Sequence, residues 1–202
     1  MIQSAFRQLF VVTCLLLPVS SAAAVIDYDR IWPNGSTLNV WFLDGDKNSQ
    51  HTVETYAKEW TQYANIQLVF FTTRPNISHI RVSFRGIDGT QLGRHDQLDN
   101  DLPTMQLASV AQNTLDLAYK RRIVLHEFGH ALGFEHEYRH PRWPYGNDWL
   151  EHQTEQCQMR LEQSQLNQAA TQCHKINDTL SIPSADWFPY DDYSIMNYPA
   201  PA

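Results

Sequence analysis

The residues with the clearest chemical potential lie within one short segment of the chain. His126 and His130 are four residues apart, and on a helix this spacing places two imidazoles on one face with Glu127 beside them. Gly133 permits a left-handed conformation that ends such a helix, so that the chain doubles back and brings His136 to the same point. Three neutral imidazoles arranged in this way bind Zn²⁺ and leave one coordination position open for water.

Chance is a poor explanation of this pattern. Five fixed residues, three of them His, arise in a chain of 202 residues with a probability on the order of 10⁻⁵ at ordinary compositions. A helix that merely carries surface or core histidines is therefore a weak alternative. A zinc ion at such a site lowers the pKa of water and polarises a scissile carbonyl, while Glu127 takes the proton and delivers it to the leaving amine. The segment predicts a zinc-dependent endopeptidase with one zinc ion per chain.

Two stretches of the sequence together resemble a known family. Residues 126–136 have the H-E-x-x-H-x-x-G-x-x-H form of the metzincin metallopeptidases, and residues 194–198 are similar to that clan's second element, a tight turn whose Met lies beneath the zinc site. Within the clan, the chain looks most like the astacin-like peptidases of short bacterial type. The further similar features are residues 32–35 (Trp-Pro-Asn-Gly), residues 103–105 (Pro-Thr-Met), Glu137 directly after the third His, and Tyr198 two residues after the Met.

The resemblance implies an α+β, metzincin-like zincin fold. In that fold a mixed twisted sheet and two long helices form an N-terminal lobe, a small irregular or helical C-terminal lobe follows, and the active-site cleft lies between them. The resemblance also implies that Tyr198 approaches the zinc as an extra ligand and stabilises the oxyanion during turnover. A buried core Tyr at that position remains the alternative.

The sequence departs from the astacin pattern in three ways. Asn197 occupies the position where astacins usually carry His, and the two characteristic disulfides of that family are not recognisable. The segment between the expected signal cleavage and the start of the domain near Asp27 is too short for a propeptide. Latency through a covalent pro-segment is therefore not expected.

The elements that must position these residues are visible as hydrophobic patterns. A strand, helix, strand, strand order predicts a mixed sheet with helices packed on it. An extended substrate is expected to add itself as a strand to the sheet edge near residues 104–109. The predicted elements are strands at 38–43, 67–71, 79–84 and 104–109, helices at 51–64 and 118–133, a loop at 86–104, and a polar helical stretch at 149–174.

The first residues read as an export signal. Arg7 precedes an apolar run at 9–17, and small residues follow at 20–24. The run is too short to span a bilayer, so a signal peptide at 1–24 is favoured over an anchor or a buried helix. The remainder, 25–202, is predicted to be a single catalytic domain, secreted or periplasmic, with an N-terminal lobe at about 25–136 and a C-terminal lobe at about 137–202.

Export determines how the cysteines are interpreted. Cys14 leaves with the signal, so the mature chain keeps Cys157 and Cys173. In an oxidising compartment these two most economically form one disulfide, with two buried thiols as the alternative. Both lie outside the metal site, because no second ligand of matching spacing accompanies either one.

The overall charge limits the classes of partner. A formal charge of -7 and a pI near 5.6 give nucleic acids and anionic membranes no broad electrostatic reason to bind. The expected partner is a protein or peptide substrate, with no stable membrane association after signal cleavage. A monomer is favoured, although the sequence leaves the oligomeric state open.

Two other groups of residues are candidate metal sites. His140 and His152 are candidates for further ligands, but the Pro-Arg-Trp context around His140 favours a solvent-facing loop. An acidic cluster lacks an EF-hand pattern and is interpreted as a plain loop rather than a Ca²⁺ site. Its members are His95, Asp96, Asp99, Asn100 and Asp101.

Two other functions remain open on the sequence. One is a catalytically weak, zinc-containing binding module, although Glu127 argues against it because a structural zinc site prefers four protein ligands and needs no adjacent carboxylate. The other is an amidase that acts on cell-wall peptides.

Overall fold

The structure, a computed structural model, describes residues 25–95, 101–137, 140, 185–187, 191 and 193–197. The predicted signal peptide, the three cysteines, Tyr198 and His152 lie outside these residues. In the described part, no helix is both long enough and apolar enough to cross a bilayer.

The elements are β1 (Val25–Asp27), β2 (Thr37–Phe42), α1 (Lys47–Ala57), β3 (Gln67–Phe71), β4 (Ile80–Ser83), β5 (Gly89–Thr90), β6 (Met105–Gln106), α2 (Leu117–Leu132), β7 (Phe134–Glu135) and β8 (Ala185–Trp187). Two 3₁₀ helices, Lys58–Gln62 and Ala108–Ala111, follow α1 and β6.

A five-stranded mixed sheet forms the centre of the molecule, in the order β3-β2-β4-β6-β5. The pairs β2–β3, β2–β4 and β4–β6 are parallel, and β5 joins β6 in antiparallel orientation. Every second residue of β2 is buried, and these side chains join the apolar core. Because β5 is the last strand in this order, it forms one edge of the sheet.

The two helices pack against each other over this core. Asp46 caps α1 by accepting a hydrogen bond from the Ser49 amide at 2.7 Å, and Asp116 caps α2 in the same way through the Tyr119 amide. The core residues of the helices and of the sheet form one cluster. Its helical members include Val53, Ala57, Val124, Phe128, Ala131 and Leu132, and its sheet members include Leu38, Val40, Phe42, Val82 and Met105.

A second, three-stranded sheet encloses the end of α2. Its order is β7-β1-β8, and β1 pairs with both neighbours in antiparallel orientation. Val25 in β1 is fully buried, opposite Glu135 of β7 and Trp187 of β8. Since β7 lies between α2 and His136, and β8 precedes the 194–197 turn, this sheet connects the two segments that the sequence assigned to the metal site.

The predicted elements agree with the structure at most positions, usually within one residue. The first helix begins at Lys47 rather than at 51, because the Asp46 cap sets its start ahead of the apolar repeat, and its α-helical part ends at Ala57. The predicted loop at 86–104 contains strand β5. The predicted strand at 104–109 is only Met105–Gln106, and it lies inside the sheet rather than at its edge. Elements of two residues are too short to show a period in the sequence.

His79 ties β2 to the segment that enters β4. Its Nδ1 accepts a hydrogen bond from the Asn39 amide at 2.9 Å, and its own amide donates to the Asn39 carbonyl at 2.9 Å. The imidazole also packs edge-on against Trp32, with 5.4 Å between ring centroids. Burial lowers the pKa of His79, because the charged ring would lose hydration.

These contacts predict a pH-dependent contribution to stability. The unfolded chain binds the His79 proton more readily than the folded chain, so the free energy of unfolding should fall as the pH drops below about 6.5. The substitution His79→Asn keeps an acceptor for the Asn39 amide without titrating. We expect urea unfolding at pH 7.5 and 5.5 to show a smaller loss of stability for His79→Asn than for the wild type. The exposed control His51→Asn should lose as much stability between these pH values as the wild type. Equal losses of stability in all three proteins would contradict the prediction.

Candidate metal centre

Three imidazoles converge on one point, as the sequence predicted. The Nε2 atoms of His126, His130 and His136 form a nearly equilateral triangle with sides of 3.1, 3.1 and 3.2 Å. Nitrogens held tetrahedrally about 2.0–2.1 Å from a zinc ion are about 3.3–3.4 Å apart, so the triangle has nearly the size that zinc requires. These residues are the one group of three or more candidate metal-binding side chains among the described residues.

Backbone carbonyls determine which ring nitrogens face the centre. Nδ1 of His126 lies 2.8 Å from the Ile195 carbonyl, and Nδ1 of His130 lies 2.8 Å from the Phe134 carbonyl. A carbonyl oxygen only accepts, so each Nδ1 must donate its proton, and in the neutral ring Nε2 then carries a free lone pair. Two lone pairs at 3.1 Å repel each other unless a cation lies between them. These Nε2 atoms therefore fit a zinc ion. The carbonyls that accept from Nδ1 orient the rings, as hydrogen-bond partners of metal-binding histidines do.

Burial favours the neutral form of His126. It lowers the pKa of His126, the Ile195 carbonyl opposes this effect, and the positive charge of Arg122 one turn earlier adds to it. His130 is buried, whereas His126 and His136 are partly exposed. The centre is thus partly accessible at His126 and His136.

The chain reversal after α2 brings His136 to the other two ligands. Gly133 has a φ of 106°, and its amide donates to the Gly129 and His130 carbonyls, which ends the helix as expected. A Cβ at Gly133 would also lie 3.0 Å from the Ile31 side chain. The two residues of β7 then pair with β1, and His136 follows directly. Pairing with β1 therefore holds the segment that carries the third imidazole.

Glu127 directly follows His126 in the chain, and its carboxyl is buried. Only 6% of the residue is exposed, and its Oε2 has no hydrogen-bond partner in the part of the chain that the structure describes. Burial raises the pKa of Glu127 to about 7; the neighbouring Thr90 hydroxyl opposes this shift, and the negative charge of Asp88 adds to it. A carboxyl in such a place can exchange a proton near neutral pH.

The 194–197 turn packs beneath the centre, against the back of α2. Met196 is 1% exposed, and its carbonyl accepts from the Glu137 amide at 3.1 Å. The side chain of Glu137 is fully buried and accepts from the Asp191 amide at 3.1 Å, and burial raises its pKa. The residue after the third imidazole is thus bonded both to the turn and to Asp191, which precedes it.

The remaining predicted positions divide into three groups. The prediction for His140 was wrong: the residue is buried rather than solvent-facing, and its amide donates to the carbonyl of the buried Glu137 at 2.9 Å, a contact that follows from the chain path after the third imidazole. It is not part of the three-imidazole group. Tyr198 and His152 fall outside the described residues, as do Cys157 and Cys173, so their predicted roles stay predictions. Of the acidic cluster only His95 and Asp101 are described, and Asp101 pairs with Arg74 at 3.3 Å.

Two tryptophans support α2 in a way that the sequence does not indicate. The indole of Trp60 donates to the Leu125 carbonyl at 3.0 Å, and that of Trp32 donates to the Ala131 carbonyl at 2.8 Å. These bonds join residues 65 and 99 positions apart, so no local pattern predicts them. The family resemblance includes Trp32 but implies no contact for it.

Comparison with known proteins supports the fold. No protein-family model and no curated protein matches the sequence. Among solved structures, the chain is similar to a structure of myroilysin, with 27% identity and a TM-score of 0.66 over 86% of this chain and 82% of that one. A second myroilysin structure matches with 34% identity, a TM-score of 0.49, and 56% and 50% coverage. High choriolytic enzyme 1, a hatching enzyme zinc-protease from Oryzias latipes (medaka fish), matches with 21% identity, a TM-score of 0.42, and 57% and 54% coverage. The first match spans most of both chains and confirms the expected α+β fold, with its mixed sheet and two helices.

The close packing at Gly129 leads to a testable prediction. A Cβ there would lie 2.4 Å from Met196 Sδ and 3.2 Å from the Trp60 ring, and Met196 is too buried to move aside freely. We expect Gly129→Ala to displace the 194–197 turn, lower the free energy of unfolding by about 1–3 kcal/mol, and weaken zinc binding. Thermal unfolding and a zinc titration against a competing chelator measure the two effects.

A double-mutant cycle isolates the cause of these effects. Shortening the opposing side chain with Met196→Ala should make the added methyl group at position 129 less harmful than it is in the wild type. Without the contact, Ala in a helix would stabilise the protein relative to Gly. A rise in thermal stability for Gly129→Ala, with unchanged zinc affinity, would therefore contradict the prediction.

Proposed function

We propose that this chain, an astacin-like metzincin by its fold and its three-histidine group, is a secreted zinc-dependent endopeptidase. One observation supports the proposal most directly: three Nε2 atoms converge within 3.1–3.2 Å of one another, and a buried carboxyl follows the first of these histidines in the chain. A binding module would need the zinc ligands but not the carboxyl. The chain acts on protein or peptide substrates.

His126, His130 and His136 would hold the zinc. The Nδ1 partners of His126 and His130 and the reversal at Gly133 keep these side chains in place before the metal arrives, so little rearrangement accompanies binding. When bound, zinc supplies Lewis acidity, which polarises the scissile carbonyl and makes water more acidic. Three protein ligands leave a coordination position for these reactants, as catalytic zinc sites require.

Glu127 acts as the general base and then as the general acid. Its carboxylate removes a proton from the attacking water and delivers it to the nitrogen of the leaving amine. The buried position supports this role, because a carboxyl with a pKa raised to about 7 both accepts and releases a proton near neutral pH.

Tyr198 would stabilise the charge that develops on the carbonyl oxygen. Its assignment rests on the family resemblance and on its position directly after Asn197, whose carbonyl lies 3.5 Å from the Arg122 guanidinium on α2. A phenol hydroxyl near the oxyanion supplies a hydrogen bond that is stronger in the transition state than in the substrate.

An extended substrate would bind along β5. The sequence placed the substrate against the edge near residues 104–109, but β6 lies inside the sheet and β5 covers it. The free edge of the sheet on this side is Gly89–Thr90, which lies against α2. A substrate strand added there gains main-chain hydrogen bonds while its scissile bond lies over the imidazoles.

Secretion is part of the proposal on sequence grounds. The positive start, the short apolar run and the small residues at 20–24 have the order of a cleaved export signal. Mass determination of the N-terminus of the exported protein tests this part independently of the chemistry.

Removal of the base gives the first test. We expect Glu127→Gln to retain its zinc by elemental analysis and to lose about 10²–10⁴-fold in kcat on a peptide substrate, because the amide cannot accept the proton. Glu54→Gln, at an exposed position of α1, is the matched control and should cleave at the wild-type rate. Wild-type cleavage by a zinc-loaded Glu127→Gln would refute the mechanism.

Casein digestion set against clearing of cell-wall suspensions separates a peptidase from a cell-wall amidase.

The tyrosine hydroxyl gives the second test. We expect Tyr198→Phe to lower kcat by about 10²–10³-fold with little change in KM, because the lost hydrogen bond acts on the oxyanion rather than on the bound substrate. Tyr193→Phe changes an exposed tyrosine five residues earlier in the same chain and should leave kcat and KM unchanged. If kcat and KM are both unaltered in Tyr198→Phe, the residue has no place in the site.

A further inference from the structure

Thr90 in β5 faces the helix that carries the metal ligands. In the antiparallel pair β5–β6, Thr90 lies directly opposite Met105, and directly opposed side chains point to the same face of a sheet. Met105 is fully buried in the core cluster that also contains Phe128 of α2. The side chain of Thr90 therefore points towards α2, where Glu127 precedes Phe128.

Two polar atoms at this contact have unused hydrogen-bonding capacity. Thr90 Oγ1 and Glu127 Oε2 are both buried, and neither has a hydrogen-bond partner within the described ranges. A buried hydroxyl without a partner is costly, so a threonine here is disfavoured on stability grounds alone. Valine would have the same shape without that cost.

The Thr90 hydroxyl lies beside the Glu127 carboxyl. Asp88, two residues earlier in the chain, is bonded elsewhere, because one of its oxygens accepts from the Ser109 amide at 2.9 Å. A carboxylate also has no proton to donate to a second carboxylate. Thr90 is thus the residue near this strand end whose hydroxyl can donate to Glu127.

We propose that Thr90 is a positioning residue whose hydroxyl donates a hydrogen bond to the Glu127 carboxylate and sets its orientation for proton transfer. This inference rests on the proposed function and extends it to the strand along which substrate would bind. With one carboxylate oxygen held by Thr90, the other oxygen is directed to the attacking water. Without the hydroxyl, the carboxylate can rotate about its last side-chain bond, and fewer of its orientations are productive.

The test compares Thr90→Val with Thr90→Ser. Thr90→Val keeps the shape and removes the hydroxyl, and we expect kcat to fall about 10-fold or more while KM and zinc content stay at wild-type values. Thr90→Ser restores the hydroxyl and should recover most of the lost kcat. Thr37→Val, the same substitution at an exposed position of β2, should leave kcat unchanged.

Thermal unfolding distinguishes positioning from a structural role. Because valine keeps the shape of threonine in the core, the melting temperature of Thr90→Val should stay within a few degrees of the wild-type value even though kcat falls. Unchanged kcat in Thr90→Val overturns the proposal. A fall in melting temperature together with loss of zinc also overturns it, since the threonine would then be structural.

The Glu127→Gln variant separates this inference from the proposed function. If Glu127→Gln is inactive and Thr90→Val is fully active, the peptidase mechanism stands and the role of Thr90 is wrong. If Glu127→Gln cleaves at the wild-type rate, the base itself is wrong. In the double variant Glu127→Gln/Thr90→Val, loss of the hydroxyl should cost no further activity, because a positioning residue acts only through the group that it positions.

Discussion

The close approach of three imidazole nitrogens is the constraint on which the rest of the structure depends. His126 and His130 carry their protons on Nδ1, so their Nε2 lone pairs, 3.1 Å apart, are unfavourable without a cation between them. The Nε2 atom of His136 lies 3.1–3.2 Å from both. Several separate features maintain that arrangement. They are the spacing on α2, the left-handed Gly133, the pairing of β7 with β1, and the carbonyls of Phe134 and Ile195. The fold therefore keeps ligands in a geometry that metal binding makes favourable.

The same elements hold α2 in position at the three-imidazole site. Trp60 and Trp32 donate to carbonyls of α2 from two sides, and Gly129 allows Met196 to pack directly against the helix backbone. Glu137 and its bonds to Met196 and Asp191 connect the third ligand to the turn below. A shift of the turn would thus reach His126 through the Ile195 carbonyl, and it would reach His136 through Glu137.

Burial has opposite consequences for the two kinds of ionisable group in the site. It lowers the pKa of His126, which favours the neutral ring that a metal needs, and it raises the pKa of Glu127, which suits a group that must both accept and release a proton. One apolar environment thus prepares both the ligands and the base. The edge strand β5 brings the two remaining groups that act on Glu127, Asp88 and Thr90.

The sequence by itself predicted the three-imidazole group, the carboxyl beside it and the end of α2. His126, Glu127, His130, Gly133 and His136 are placed by helical spacing and a single backbone turn. It also placed the long strands and helices, whose apolar periods are local. Tertiary structure alone decided the order of the sheet, which put β6 inside and β5 at the edge, and it decided that His140 is buried. It alone brought Thr90 to Glu127, Trp60 to α2 and the Ile195 carbonyl to His126. These contacts join residues that are distant in the chain, and elements of two residues are too short to carry a period, so no local pattern encodes them.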